Sequence, residues 1–199
     1  HGATSLTPLL ATGQRLAELE AESARLPSIT VSSAAAANAV MLGAGYFTPL
    51  KGYMNRCDAL SVATDLKTTD GLLWPVPVLN MVERFDGNLG DRIALRDPNV
   101  DGAPVIAVMD VTGIECLSDD DMALMTREVF ETDDPNHPGV ATFNSQGQVL
   151  LSGPIEVLTF SYFHSDFPGT FRTAMEIRDE IESRGWKRVV AFQTRNPMH

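Results

Sequence analysis

Cysteine, long apolar runs and positive charge are all scarce in this sequence of 199 residues. The two cysteines, Cys57 and Cys116, lie far apart without a CxxC pair, which favours reduced, partly buried thiols, although one disulfide could form. The four histidines lack metal-ligand spacing, so we expect no protein-bound metal. No apolar stretch approaches the ~20 residues of a membrane span, and no signal-peptide pattern opens the chain. These absences predict a soluble, cytoplasmic protein with no membrane contact.

Acidic residues outnumber basic ones, with 26 Asp and Glu against 15 Lys and Arg, and the formal net charge is −11. A field of this sign repels nucleic acid, so we expect no nucleic-acid partner. Any anion site must be built locally from a few Arg, Lys and backbone N–H groups. The imbalance lies in residues 1–162, with 9 basic against 21 acidic residues, whereas residues 163–199 have 6 against 5. This change predicts a domain boundary near residue 163.

Capping residues and helical spacing predict three helices in the first 130 residues. Leucines recur at helical spacing over residues 14–26. Ser32 and Ser33 are suitable N-caps for an Ala-rich helix over residues 34–42. Ser118 precedes three aspartates at 119–121, which is typical of an N-cap with an acidic first turn but can also mimic a metal site. We favour the helix start, because negative charge there complements the helix dipole.

Strand-forming residues dominate from about residue 72 onward. Residues 72–82 are rich in β-formers, but Pro75 and Pro77 cannot donate to a ladder, so we expect an edge or bent strand. His137 beside Pro138-Gly139 is interpreted as a turn residue. Further strands are predicted over residues 92–95, 105–111, 148–152 and 155–160. The chain up to residue 163 is therefore interpreted as a mixed, strand-rich α+β domain.

The last part of the chain has a different character. Residues 169–184 show an apolar face at helical spacing, and Gly185 provides a C-cap. Residues 186–192 form a β-rich run that alternates poorly, as a strand buried on both faces should. A helix, a glycine, a buried strand and a polar segment are together typical of the opening of a doubly wound α/β domain. Residues 164–199 are predicted to begin such a domain.

The polar segment at residues 193–199, QTRNPMH, occupies the position where such domains bind ligands. Arg195 offers a planar fork for a tetrahedral oxyanion. The amides of Gln193 and Asn196 can donate hydrogen bonds without adding charge. His199 could donate to phosphate oxygens at the start of the next helix. From the residues alone, an ordinary strand-to-helix loop is an equally good interpretation.

This segment resembles the start of the ATP sulfurylase signature, in which a second histidine follows three residues after the first. Residues 45–54, GYFTPLKGYM, are similar to that family's GFxxPLxGFM segment. Weaker similarities lie at His1-Gly2 (the family's PHG), at residues 137–140 (its HPGV turn), and at Arg172-Thr173 and Gly185-Trp186 (its TR and GW pairs). The motifs follow the family's order over nearly the whole chain, which makes the set specific.

The resemblance implies a PUA-like β-rich domain over residues 1–163 and the start of a Rossmann-like nucleotidylyltransferase domain over residues 164–199. It implies reversible conversion of ATP and sulfate to adenosine 5′-phosphosulfate and pyrophosphate, with Mg²⁺ arriving with ATP. A homo-oligomer is implied for the full-length protein. By the same resemblance, Gln193 and Arg195 hold sulfate, and Thr194, Arg195 and Asn196 form the catalytic loop. His199 would stabilise phosphate charge, so that all five residues contact sulfate or ATP.

Two other interpretations stay open. One is a nucleotidylyltransferase that uses a different acceptor, and the other is a non-catalytic binding or assembly module with a vestigial motif. Because the sequence lacks an initial Met and ends within the signature, we interpret it as part of a longer protein and expect residues 1–199 alone to be inactive. We favour packing as the role of residues 45–54. We expect His164, Arg172 and Lys187 to have a surface or structural role.

Overall fold

The computed structural model describes residues 3–193, which form a mixed α/β fold around one curled sheet. The helices are α1 (Gly13–Ser23), α2 (Ser33–Gly43), α3 (Arg56–Asp65), α4 (Asp119–Phe130), α5 (Pro138–Asn144), α6 (Phe163–Asp166) and α7 (Ala174–Ser183). The strands are β1 (Ser28–Thr30), β2 (Gly52–Tyr53), β3 (Met81–Val82), β4 (Arg92–Arg96), β5 (Val105–Asp110), β6 (Gly113–Cys116) and β7 (Val149–Val157). No helix in this part of the chain is long and apolar enough to cross a membrane.

Strand β7 organises the sheet. The strand order is β1-β4-β5-β7-β2, and β3 and β6 also pair with β7. Of the pairs between these strands, β1 with β4 is parallel and the others are antiparallel. The first half of β7 pairs with β3 and β6, and the second half with β2 and β5. The nine-residue strand β7 thus pairs with four other strands, and the sheet curls around it.

The main core lies between α2 and the sheet. Ser32 caps α2 as predicted, since its hydroxyl accepts a hydrogen bond from the backbone N–H of Ala35 at 3.1 Å. Small side chains on this helix let it approach the strands closely. At Gly43, a Cβ atom would lie only 2.8 Å from Cγ1 of Val157 in β7. The alanine-rich sequence therefore matches a helix that packs directly on the sheet.

A second core cluster lies beneath α3 and α4. The predicted N-cap of α4 is confirmed, because Ser118 Oγ accepts from the N–H of Asp121, and Asp121 Oδ2 accepts from the N–H of Ser118. Arg56 donates two hydrogen bonds to the same carboxylate, at 2.8 and 2.7 Å. These bonds from Arg56 lower the pKa of Asp121 to about 2. The aspartate run therefore starts a helix and anchors α3 to α4.

Several predicted strands differ from the structure. Residues 72–82 form a strand only at Met81–Val82, because Pro75 and Pro77 interrupt the backbone donors before it. The predicted break near residue 153 is wrong, since β7 runs through Gly153 and Pro154. Gly153 has φ +146°, and a Cβ there would lie 2.0 Å from the carbonyl oxygen of Asp110. Glycine thus lets β7 pass close to the end of β5 without ending the strand.

Some helices and thiols also differ from expectation. Helix α7 begins at Ala174 instead of residue 169, because Thr173 forms a capping box with Glu176. Helix α3 was not predicted, although the Asn55 side chain accepts from the N–H of Asp58 as an N-cap. The two cysteines are unpaired, as expected, but both are exposed instead of partly buried.

Candidate functional site

The predicted site begins at Gln193, the last residue that the structure describes. Gln193 lies outside any helix or strand, and its side chain is exposed. The other candidate residues, Thr194, Arg195, Asn196 and His199, lie outside the described residues. The described elements that lead to the signature are α7 and residues 184–192.

Helix α7 ends in a motif that turns the chain sharply toward the signature. Gly185 has φ +64°, and its N–H donates to the carbonyl of Glu182 at 2.9 Å. The N–H of Trp186 donates to the carbonyl of Ile181 at 3.1 Å, which completes a Schellman motif. The Arg184 guanidinium lies 5.0 Å from the centroid of the Trp186 ring. The Gly185-Trp186 pair thus has a local role as the predicted C-cap of α7.

The predicted strand over residues 186–192 does not form in the described part of the chain. Its apolar side chains are exposed, with 93% of the Val190 surface and 78% of the Phe192 surface accessible. A strand needs a neighbour to accept its backbone hydrogen bonds, and residues 3–193 place none beside it. The prediction of a strand buried on both faces is therefore wrong for this part of the chain.

The start of α7 is defined by Thr173 and Glu176. The backbone N–H and the hydroxyl of Thr173 donate to one oxygen of the Glu176 carboxylate, at 2.7 and 2.9 Å. These bonds, led by the backbone one, lower the pKa of Glu176. The helix itself has no buried residue. This capping box therefore fixes the residue at which α7 begins.

The segment at residues 44–50 holds the first turn of α7. The carbonyl of Ala44 accepts from the N–H of Ala174 at 2.9 Å, and the Tyr46 hydroxyl donates to the carbonyl of Arg172 at 2.7 Å. Desolvation, and then the nearby Glu176 carboxylate, raise the pKa of Tyr46. Packing was the predicted role of this segment, and the hydrogen bond of Tyr46 was missed. No sequence spacing links positions 46 and 172, so only the fold brings them together.

Aromatic packing attaches the same region to the main core. The ring centroids of Phe171 and Phe160 are 5.1 Å apart, and those of Phe171 and Phe163 are 6.0 Å apart. Phe160 is buried, and Phe163 and Phe171 pack against the cluster that contains it. The chain on both sides of residue 163 therefore shares one apolar contact region.

The HPGV segment is the start of α5, where a turn was expected. The Nδ1 atom of His137 accepts from the N–H of Val140 at 3.4 Å, and Pro138 occupies the first helical turn, where its missing N–H costs nothing. Pro138 and Gly139 also line a groove of about 460 Å³ between α2, α4 and α5, whose described lining holds no titratable side chain. The segment thus starts a helix, and the described lining of the groove offers no acid–base group.

No group of three or more His, Cys, Asp or Glu side chains is placed to hold a metal ion within residues 3–193. The aspartates at 119–121, which could mimic such a site, are engaged at the start of α4, where Asp121 pairs with Arg56. The start of α4 and the pairing with Arg56 therefore account for this run of aspartates.

Family models match both parts of the chain. A PUA-like domain model matches residues 1–160, and an ATP-sulfurylase model matches residues 169–199. A solved structure, "Hexameric APS kinase from Thiobacillus denitrificans", is similar with a TM-score of 0.73 and 25% identity, over 98% of this chain and 34% of that one. The mixed α/β fold with a PUA-like domain is therefore shared with a longer protein.

Three curated relatives carry the name sulfate adenylyltransferase. The protein from Allochromatium vinosum is 64% identical over 91% of this chain and 46% of its own length. That from Alcanivorax borkumensis is 58% identical over 100% and 50%, and that from the Riftia pachyptila sulfur-oxidizing endosymbiont is 55% identical over 92% and 41%. The chain thus spans about half the length of the relatives that it matches. These matches, with the two family models in order, show that the chain belongs to the ATP sulfurylase family.

Proposed function

We propose that the complete protein is a sulfate adenylyltransferase, which converts ATP and sulfate to adenosine 5′-phosphosulfate and pyrophosphate in a reversible reaction. The observation that carries this proposal is the match of the ATP-sulfurylase model to residues 169–199, which include the whole QTRNPMH segment. The relatives named sulfate adenylyltransferase support it at 55–64% identity.

The reaction joins two anions and needs no proton transfer. A sulfate oxygen attacks the α-phosphorus of ATP, and an O–P bond forms as the bond to the pyrophosphate oxygen breaks in line on the opposite side. Pyrophosphate leaves with the electron pair of the broken bond. Because sulfate is a weak nucleophile, catalysis depends on alignment and on neutralisation of charge instead of a general base.

The signature residues take their roles in this chemistry from their side chains. Gln193 and Arg195 would hold sulfate, the amide as a neutral donor and the guanidinium as a fork of two parallel donors. Thr194, Arg195 and Asn196 would form the catalytic loop, and His199 would stabilise charge on the phosphates. A local cluster of donors is needed here, since the net charge of −11 otherwise opposes the approach of anions.

Three further properties belong to this proposal. Mg²⁺ enters as part of the MgATP substrate, held by the oxygens of the triphosphate. Residues from about 164 onward begin a Rossmann-like catalytic domain, which follows the PUA-like domain. The complete protein works as a homo-oligomer in the cytoplasm. The similar protein from Thiobacillus denitrificans is hexameric, which supports oligomerisation. The use of ATP as a substrate supports a cytoplasmic location.

Replacing Arg195 tests the assignment of the sulfate site. In the complete protein, Arg195→Lys keeps the charge but removes the planar fork, so kcat/KM for sulfate should fall by about 100-fold. Arg188→Lys is the matched control, because Arg188 lies nearby in an exposed segment outside the signature. If both variants keep the wild-type kcat/KM for sulfate, the role given to Arg195 is wrong.

A further inference from the structure

A groove of about 370 Å³ lies between α4 and the chain that leads from α5 into β7. We call it the acidic groove, and its polar lining residues are Asp119, Thr126, Asp133, Asn144 and Gln148. All of these side chains offer oxygen acceptors, and no basic side chain joins them in the described lining. The groove therefore has two carboxylates without a compensating positive charge.

The surrounding sequence strengthens this negative charge. Residues 119–134 contain seven acidic residues and one basic residue, a balance of −6 within the net charge of −11. The basic residue is Arg127, whose Nε atom lies 3.3 Å from a carboxylate oxygen of Glu128. Charges of one sign around a concave surface raise the local concentration of ions of the opposite sign. The acidic groove thus favours a positively charged ligand.

Thr126 supplies an independent indication of a ligand. It is only 4% exposed, and it lines the acidic groove. Inside a helix, a threonine hydroxyl commonly donates to the carbonyl four residues earlier, as Thr64 does to Leu60 at 3.0 Å. Thr126 makes no such bond, and its hydroxyl has no other hydrogen-bond partner within residues 3–193. Because a nearly buried hydroxyl is costly to leave unpaired, a ligand in the groove would satisfy it.

The remaining acceptors are also available. Asp119 accepts a hydrogen bond from Gln148 Nε2 at 2.7 Å through one carboxylate oxygen, which orients the side chain. Its second oxygen has no partner in the described part of the chain. The side chains of Asp133 and Asn144 make no hydrogen bond or ion pair within residues 3–193. Acceptors from α4, from the segment after it and from the end of α5 thus face one groove.

The size and the apolar wall of the groove favour an organic cation over a metal ion. A volume of about 370 Å³ lies in the range of about 300–1,000 Å³ that is typical of small-molecule sites, and one ion would leave most of it empty. Within residues 3–193, no third carboxylate, histidine or cysteine joins Asp119 and Asp133 as a metal ligand. Met122 and Ala123 complete the lining, and their side chains suit methylene groups but cannot hold a hard cation.

We propose that the acidic groove binds a small aliphatic ammonium ion, such as a short diamine. An ammonium group has three N–H donors, which match the carboxylates of Asp119 and Asp133 and the hydroxyl of Thr126. The methylene groups of the ligand lie against Met122. This site is separate from the signature, and the inference does not depend on the proposed function.

Saturation-transfer NMR measures this binding on the complete protein without nucleotide, with 1,4-diaminobutane as the probe. We expect a Kd of about 1 mM, as a few charge-assisted hydrogen bonds to a small ligand would give. The affinity should fall as ionic strength rises, because salt screens exposed charges. 1,4-Butanediol, which has similar length but no charge, is the control and should show no transfer.

Substitutions at Thr126 test the part played by its hydroxyl. Thr126→Val keeps the shape of the side chain and should weaken binding of the diamine by about tenfold, since it removes one acceptor for a charged donor. The melting temperature should not fall, because no described group loses a partner. Thr126→Ser keeps the hydroxyl and should stay within about twofold of the wild-type Kd. Thr64→Val is the control, because Thr64 lies on α3 away from the groove.

A matched pair of carboxylates separates a specific site from general attraction to an acidic surface. Asp133→Asn should weaken binding by about fivefold, because the carboxylate contacts the ammonium group. Glu131→Gln makes the same change of charge two residues earlier, outside the described lining of the groove, and should leave the Kd within about twofold.

Four results would overturn the proposal. The first is no transfer to the diamine in the complete protein, which includes the case in which another part of that protein fills the groove. The second is an equal Kd in Thr126→Val and the wild type, or an equal loss in Thr126→Ser and Thr126→Val. The third is an equal effect of Asp133→Asn and Glu131→Gln. The fourth is displacement of the diamine by about 1 mM CaCl2 or MgCl2 but not by NaCl of equal ionic strength, which would identify a metal site instead.

Discussion

The carbonyl of Ala44, at the end of α2, accepts a 2.9 Å hydrogen bond from the N–H of Ala174, the first residue of α7. Each helix end has backbone groups without partners inside its own helix, and here one end satisfies the other. The negative end of the α2 dipole also meets the positive end of the α7 dipole. Residues 45–54 and 171–173 both resemble family motifs. They therefore lie in contact just before α7, the helix that leads to the signature.

The capping box of α4 should contribute measurably to stability. Ser118→Ala removes the hydroxyl that accepts from the N–H of Asp121, so the free energy of unfolding should fall by about 1 kcal/mol. Thr12→Ala is the matched control, because Thr12 is the N-cap of α1 but makes no capping hydrogen bond through its side chain. Urea denaturation measures both variants. An equal loss in the two would show that the Ser118 bond contributes nothing.

Gly52 should tolerate no side chain. A Cβ at this position would lie 2.0 Å from the carbonyl oxygen of Gly153, so Gly52→Ala must push β2 away from β7. We expect a loss of about 2–3 kcal/mol in the free energy of unfolding. Gly169→Ala, at a position with no atom within 4 Å of the added Cβ, should be close to neutral. Denaturation midpoints of the two alanine variants test the close approach of these strands.

Acid should weaken the fold partly through Glu156. Hydrogen bonds from Arg15, and then from Arg92, oppose desolvation and lower the pKa of Glu156 to about 2, from 4.5. Because the folded pKa is depressed, the stabilisation is fully present above about pH 4.5 and is lost as pH falls toward 2. The carboxylate is 36% exposed, so solvent screening reduces the effect to about 1 kcal/mol.

Glu156→Gln provides the measurement for this pH dependence. The variant should be less stable than the wild type at pH 7, and the difference should shrink between about pH 4.5 and pH 2. Glu20→Gln is the control, since Glu20 is an exposed residue of α1 whose carboxylate has no hydrogen-bond or ion-pair partner among residues 3–193. A constant difference between Glu156→Gln and the wild type across this pH window would contradict the assigned pKa.

Local sequence signals predicted the parts of the fold that depend on local chemistry. Ser32 and Ser118 cap helices as expected, because a capping hydroxyl needs only the backbone N–H three residues ahead. Strands β4 and β5 were also predicted, since their β-rich runs are free of proline and glycine. The family resemblance, now confirmed, added the PUA-like domain, which no periodicity in the sequence could identify.

Features that depend on distant contacts could not be predicted. The passage of β7 through Gly153-Pro154 depends on the approach of β5, and the bond between Tyr46 and Arg172 depends on the end of α2. The run at residues 186–192 has strand composition, but residues 3–193 give it no partner strand. The roles of Gln193 and the signature residues after it stay predictions, because their contacts lie outside the described residues.

The 199-residue chain should be inactive when it is produced alone. It corresponds to 41–50% of the length of relatives named sulfate adenylyltransferase. A polypeptide of these residues therefore lacks about half of the length that those relatives have. Exchange of labelled pyrophosphate into ATP, with adenosine 5′-phosphosulfate present, should therefore be undetectable for residues 1–199. Robust exchange by this chain alone would refute the assignment of the site.

The central claim is that the complete protein transfers the adenylyl group of ATP to sulfate. The direct measurement is product analysis after incubation of the complete protein with MgATP and labelled sulfate, with pyrophosphate removed enzymatically to draw the reaction forward. We expect one labelled adenosine 5′-phosphosulfate for each pyrophosphate released, counted as the two phosphate ions that its hydrolysis gives, and neither product without sulfate. Pyrophosphate release that is independent of sulfate, or no labelled nucleotide at all, would contradict the claim.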